Sequence, residues 1–132
     1  MLDVRCWMLD VRIMYQKYNF ENLEVYKLAN NLVKEIYNLS KKFPKSEDFV
    51  LSTQIKRAAI SVVLNITEGS SRAKKEFSRF IEIALGSLIE VKTCCILVRD
   101  LKYIDKKDFS QIITKIDELF FKLLNLKRYL RK

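Results

Sequence analysis

Lysines and arginines gather in three short stretches: Lys41, Lys42 and Lys45; Arg72, Lys74, Lys75 and Arg79; and Lys127, Arg128, Arg131 and Lys132. The chemistry open to such groups is charge-assisted hydrogen bonding to phosphate oxygens, with an affinity that falls steeply as salt rises. A solvated helix face explains any one stretch alone, whereas the same stretches repeated around a ring of subunits would form a continuous positive surface. Tyr129 stands among the terminal charges and offers one ring on which a base could stack. Arg72, Lys74, Lys75, Arg79, Lys127, Arg128 and Arg131 are therefore the candidate nucleic-acid contacts. No helix-turn-helix, RNP or zinc signature accompanies them, so the expected binding is not sequence-specific.

Other chemistry is poorly provided for. The chain has no histidine, which removes the commonest general base and the commonest zinc ligand together. Glu68 and Glu90 are the candidates for paired carboxylates near the core, but a di-metal bundle needs Glu-x-x-His pairs and more acidic ligands than these. Cys94 and Cys95 are adjacent, and Cys6 is far from both, so no C-x-x-C spacing occurs. Side chains one residue apart on a helix point about 100° apart. One of the Cys94–Cys95 pair is therefore expected in the core, and both read as structural thiols of a reducing cytoplasm. No nucleophile-base constellation can be named, and the sequence supports no catalytic, cofactor-binding or metal-ligating residue.

A second pattern is structural in kind. Gln54, Arg57, Ser61, Asn65 and Glu68 recur at the spacing that forms one stripe along a helix, within an otherwise apolar segment from Phe49 to Ile66. Apolar residues take almost all the other positions, Ala58, Ala59, Ile60, Val62, Val63, Leu64 and Ile66 among them, so the helix wants cover on more than one side. Such a helix packs inside its own subunit and against a neighbouring copy, with the stripe hydrogen-bonded across one of those contacts. Asn65, Thr67 and Glu68 are expected to meet Ser87 and Glu90 on the next helix and to set its register. Gly86 lies inside that helix, where it costs roughly 1 kcal/mol relative to alanine, so a close approach of another helix at Gly86 and Ser87 is expected to offset it.

The elements that carry these residues are helices. Apolar residues recur at Tyr26, Ala29, Leu32, Val33, Ile36, Leu39 and Phe43, which predicts a first helix over about 22–42 stopped by Pro44. Ser46 is the expected N-cap of the second, with Glu47 and Asp48 in its first turn, and Gly69 its C′ residue. A third helix runs over about 72–102 with Phe77, Phe80, Ile81, Ala84, Leu88, Val91, Cys95 and Val98 on one face. Asp105 caps the fourth, whose seam is Phe109, Ile112, Ile113, Ile116, Phe120, Leu123 and Leu130. Four helices with short connections predict an all-α fold, an antiparallel up-down-up-down four-helix bundle.

Composition agrees with this class. The 132 residues suffice for one domain, with 49% hydrophobic and 31% charged residues, two glycines and one proline. The formal charge of +9, from 25 Lys and Arg against 16 Asp and Glu, favours polyanionic partners by long-range attraction. No apolar run approaches the roughly 20 residues that span a bilayer, so no membrane contact and a cytoplasmic location are expected. Met-Leu-Asp-Val-Arg occurs at 1–5 and again at 8–12, and Asp3, Arg5, Asp10 and Arg12 break any signal-peptide core. Residues 1–13 read as an N-terminal extension, either an addition ahead of Met14 or an arm that lies on a neighbouring subunit, and 14–132 as a single bundle domain.

The stretches Phe43-Pro44, Glu47, Gln54-Ile55-Lys56-Arg57-Ala58-Ala59, Ser61, Asn65-Ile66-Thr67-Glu68-Gly69, Arg72, Phe77, Phe80, Gly86-Ser87-Leu88, Glu90 and Leu101-Lys102-Tyr103-Ile104 carry a family resemblance. From about Phe20 onward the chain resembles the four-helix bundle family of the 23S ribosomal RNA intervening-sequence proteins. It is also similar to the accessory variability determinant proteins of diversity-generating retroelements. Thr67 stands where that family usually has alanine. The resemblance implies a homopentameric, barrel-like assembly of bundles with a basic surface, no established enzymatic activity, and a role in binding nucleic acid. For the retroelement branch it implies a reverse transcriptase and its template RNA as partners. Two functions follow as expectations: a homo-oligomer that binds RNA by phosphate contacts, or an accessory scaffold whose partner is a protein such as a reverse transcriptase.

Overall fold

The computed structural model describes residues 20–132, so the reading of residues 1–13 and of Cys6 lies outside the described residues. Four α-helices follow one another: α1 (Glu24–Ser40), α2 (Leu51–Ser70), α3 (Lys74–Asp100) and α4 (Lys106–Leu130). Short 3-10 turns at Phe20–Asn22 and Lys45–Glu47 precede α1 and α2, and no strand occurs among the described residues. The fold is all-α. Each helix packs on the next, and α4 also packs on α1.

Most residues of the apolar seams read from the sequence lie in the core, but Tyr26, Val33, Phe77, Phe80, Phe109, Ile113 and Phe120 are only partly buried, and Leu119, outside the seam as read, is buried. Ala29, Leu32, Ile36 and Leu39 of α1 meet Ile55, Ala59, Val62 and Ile66 of α2, with Ile81, Leu88, Val91 and Val98 of α3 and Ile112, Ile116, Leu119 and Leu123 of α4. Full burial of a Leu or Ile side chain contributes about 1.5–3 kcal/mol, so a seam of this kind holds each helix more firmly than its own propensity does. Polar pairs span neighbouring helices. Gln54 Nε2 donates to Glu90 Oε2 at 3.5 Å and Ser61 Oγ lies 2.8 Å from Ser87 Oγ between α2 and α3. Lys92 pairs with Asp117 at 3.0 Å between α3 and α4, and Lys122 with Glu24 at 2.6 Å between α4 and α1.

Several local expectations change. Ser46 does not cap α2, because Lys45–Glu47 forms its own 3-10 turn and the helix begins at Leu51. The Glu47 carboxylate still serves that helix end: Oε2 accepts the Leu51 N–H at 3.4 Å, while Oε1 accepts the Tyr103 hydroxyl at 3.1 Å. Gly69 is not a C′ residue, since no glycine among the described residues has positive φ and Gly69 lies within α2. The left-handed position is Lys102, with φ 64°, just past α3. There Tyr103 N donates to Val98 O at 2.9 Å and Lys102 N to Arg99 O at 2.9 Å, the two bonds of a Schellman motif. Asp105 is the N-cap of α4 as expected, and its carboxylate accepts the Asp108 N–H at 2.7 Å. Both members of the cysteine pair are buried, not one, and burial pushes the Cys95 thiol up to about 12. Neither thiol is a ready thiolate.

Candidate nucleic-acid interface

The α2–α3 turn and the end of α4 build one site. Gly69 lets α3 close tightly on α2, because a Cβ there would meet Phe80 Cβ at 2.7 Å and Phe77 Cδ1 at 2.8 Å. The chain then turns through Arg72, whose N–H donates to Gly69 O at 3.0 Å, and α3 starts at Lys74 with Ala73 as an N-cap that supplies no side-chain acceptor. Lys74, Lys75 and Arg79 are exposed on the first two turns of α3. From the other side comes the C-terminal turn of α4, anchored by buried Leu130.

Between them lies a cleft of about 560 Å³ lined by Lys74, Lys75, Ser78, Arg79, Leu130, Arg131 and Lys132. Five of the seven are cationic and none is acidic. Arg131 is held in place: its Nε donates to Ser78 Oγ at 3.0 Å and one terminal nitrogen to Glu82 Oε2 at 3.2 Å. Ser78 is only 2% exposed, whereas the Arg131 and Glu82 side chains stand in solvent. Lys74 Nζ lies 5.4 Å from the centre of the Tyr129 ring, which stands exposed beside the cleft.

The sequence-predicted contacts divide accordingly. Lys74, Lys75, Arg79 and Arg131 converge on the cleft, although two stretches about fifty residues apart supply them. Arg72 does not line it; its guanidinium pairs with Glu68, approaches Glu76 at 3.8 Å and lies over the Phe80 ring at 5.7 Å. Lys127 turns toward Glu82 at 3.9 Å with its side chain mostly covered, and Arg128 is exposed outside the lining. Ser78 was not among the predicted contacts, yet Lys75, Ser78, Arg79 and Glu82 share the three- and four-residue spacing of one helix face. Lys42 faces the start of α4 instead, 2.7 Å from Asp108 Oδ2.

The polar stripe of α2 is met partly inside the subunit. Ser61 and Gln54 reach α3 as described, but Asn65 turns back on its own helix, donating to Ser61 O at 2.8 Å and Ser61 Oγ at 3.1 Å. Thr67 Oγ1 likewise donates to Val63 O at 3.0 Å, so the expected meeting of Asn65, Thr67 and Glu68 with α3 does not occur. Arg57, Glu68 and Glu90 are exposed, and the two carboxylates are not a core pair, since Arg72 takes Glu68 and Gln54 takes Glu90. Gly86 is exposed, and a Cβ built there meets nothing within 4 Å. Within the subunit, therefore, no helix approaches Gly86, and the close contact belongs to Gly69. Ser87 is buried against Ser61.

Leu64 on α2 and Ile83 on α3 are 60% and 53% exposed, flanking this partly polar face. No group of three or more His, Cys, Asp or Glu among the described residues could hold a metal ion. No helix among them is long and apolar enough to cross a membrane.

A family model described as 23S rRNA-intervening sequence protein matches residues 21–125. A crystal structure from Bacteroides thetaiotaomicron VPI-5482, described as a protein of unknown function from the S23 ribosomal protein family, is similar at 25% identity and a TM-score of 0.72. The similarity covers 78% of this chain and 97% of that one. No curated protein matches the chain.

Proposed function

The chain belongs to the 23S rRNA-intervening sequence protein family, and from that premise we propose that it is a non-enzymatic homo-oligomer that binds RNA through phosphate contacts. The observation that carries this reading is the convergence of Lys74, Lys75, Arg79, Arg131 and Lys132 on one cleft with no carboxylate in its lining. Glu82 meets part of the Arg131 charge; the remaining cations repel one another, and a polyanion relieves that repulsion while releasing its own counterions. The assembly is a homopentamer of up-down-up-down bundles in the cytoplasm. Support for assembly comes from the outer face of α2 and α3, where Leu64 and Ile83 stand exposed beside Gly86. A partner copy covering that face would remove apolar area from water and give the glycine a neighbour.

The test is a variant with Lys74→Glu, Lys75→Glu and Arg79→Glu, compared with the parent in binding a structured RNA at several salt concentrations. All three side chains are exposed, so the fold should persist. Affinity falls at least about tenfold at low salt, and the slope of log affinity against log salt shrinks by about three. Equal affinity and equal slope would contradict phosphate binding at this end of the bundle.

A second reading is an accessory scaffold for a protein partner such as a reverse transcriptase. It is favoured by an apolar groove between α3 and α4, where Ile89 and Phe121 are 54% and 63% exposed. That reading requires retention of the protein partner after nuclease treatment.

A further inference from the structure

The same cleft has features that a general polyanion surface does not need. Lysines scattered over a convex face are enough to hold an RNA backbone. Here the cations surround a concavity, and Arg131, itself exposed, is held by the buried Ser78 hydroxyl and by Glu82. The volume of about 560 Å³ falls in the range of pockets that enclose small ligands, and exceeds what one backbone phosphate fills. Tyr129 supplies an exposed aromatic face at the edge, next to Lys74.

We infer that the cleft receives the terminal phosphomonoester of an RNA strand, with the phosphate among Lys75, Arg79 and Arg131 and the end base stacked on Tyr129. This rests on the proposed RNA binding and specifies which part of the RNA the cleft reads. An internal phosphodiester carries a single negative charge and two free oxygens, and it needs a strand entering and a strand leaving. A phosphate monoester carries about −1.5 to −2 near pH 7, with a second pKa of about 6, and presents three acceptor oxygens. Lys74, Lys75, Arg79 and Lys132, with no carboxylate in the lining, match the larger charge, and Arg131, although paired with Glu82, keeps further N–H donors for a phosphate oxygen. The uncapped first turn of α3 adds partial positive charge on the same side. Stacking of one base on tyrosine is tolerant of sequence, in keeping with the absence of any base-reading motif.

The experiment uses the full chain and one single-stranded RNA oligonucleotide in three forms: 5′-phosphate, 3′-phosphate, and hydroxyl at both ends. Fluorescence anisotropy gives the three affinities at pH 7.5 and at pH 5.5. At least one phosphorylated form binds on the order of tenfold tighter than the hydroxyl form at pH 7.5, and which form does so identifies the end recognised. That preference shrinks at pH 5.5, where the monoester regains its second proton. In a variant carrying Lys75→Ser and Arg79→Ser the preference ratio drops toward one. Equal affinities for all three forms would overturn the inference and leave RNA binding standing. Binding of none of them would remove the RNA reading as well. An end preference that survives the double variant unchanged would overturn the assignment to this cleft.

Discussion

A Cβ at Gly69 would lie 2.7 Å from Phe80 Cβ and 2.8 Å from Phe77 Cδ1, whereas one at Gly86 meets nothing within 4 Å. Both glycines are helical, so alanine gains intrinsic helix propensity at each, by about 1 kcal/mol. At Gly69 the clash with a backbone-proximal Cβ outweighs that gain, and Gly69→Ala should destabilise the fold by about 1–3 kcal/mol. Gly86→Ala should stabilise the subunit by up to about 1 kcal/mol in urea unfolding. In the assembled protein the partner copy proposed to cover Gly86 should reduce or reverse that gain. Lys102 is the third informative position, because its φ of 64° strains an L side chain at the Schellman C′ site. Lys102→Gly should raise stability by about 1 kcal/mol, read as a higher urea midpoint at unchanged slope, and a lower midpoint would contradict that geometry. Local sequence marks neither difference between the glycines: Gly69 precedes two serines and looks like a helix stop, and only the folded pair of helices brings the phenylalanines beside it.

At the scale of elements, the seams of α1 and α4 were legible because their apolar residues keep helical spacing over many turns and have one core to face. Asp105 was legible too, since its cap bond to the Asp108 N–H is three residues long. The start of α2 was not. Ser46, Glu47 and Asp48 look like a cap and first turn, but Glu47 is engaged by the Tyr103 hydroxyl, 56 positions away, and the chain there takes a 3-10 turn first. Each basic stretch of the cleft could be read singly; their meeting depends on α4 ending beside the start of α3, which no local pattern encodes. One cross-helix pair yields a pH prediction. The Lys42 ammonium, hydrogen-bonded to Asp108, holds that carboxyl below the ordinary carboxylate range, and the carboxylate raises Lys42 in turn. Stability from the depressed Asp108 is present above its ordinary value and lost as pH falls through the depressed one. Stability from the raised Lys42 is present below its ordinary value and lost as pH climbs through the raised one. The pair therefore favours the fold across the neutral range. An NMR titration of Asp108 should show a midpoint below that of an unpaired aspartate, moving upward in Lys42→Met. An unmoved midpoint would show that the contact does not form.

For the whole molecule, the formal charge of +9 and the exposed Leu64 and Ile83 bear on different partners. Charge acts over a Debye length of about 10 Å at 0.1 M salt and is weakened by more salt. Apolar burial is not screened in that way and is strengthened by excluded salts. Assembly and RNA binding should therefore separate on a salt axis, the first persisting while the second fades. The most direct measurement is light scattering on a size column, with and without a structured RNA, at low and at high salt. A pentamer is expected at both salt concentrations, with a heavier RNA complex at low salt alone. A monomer would contradict the reading of α2 and α3 as a subunit face, and a pentamer indifferent to RNA at low salt would contradict the nucleic-acid reading.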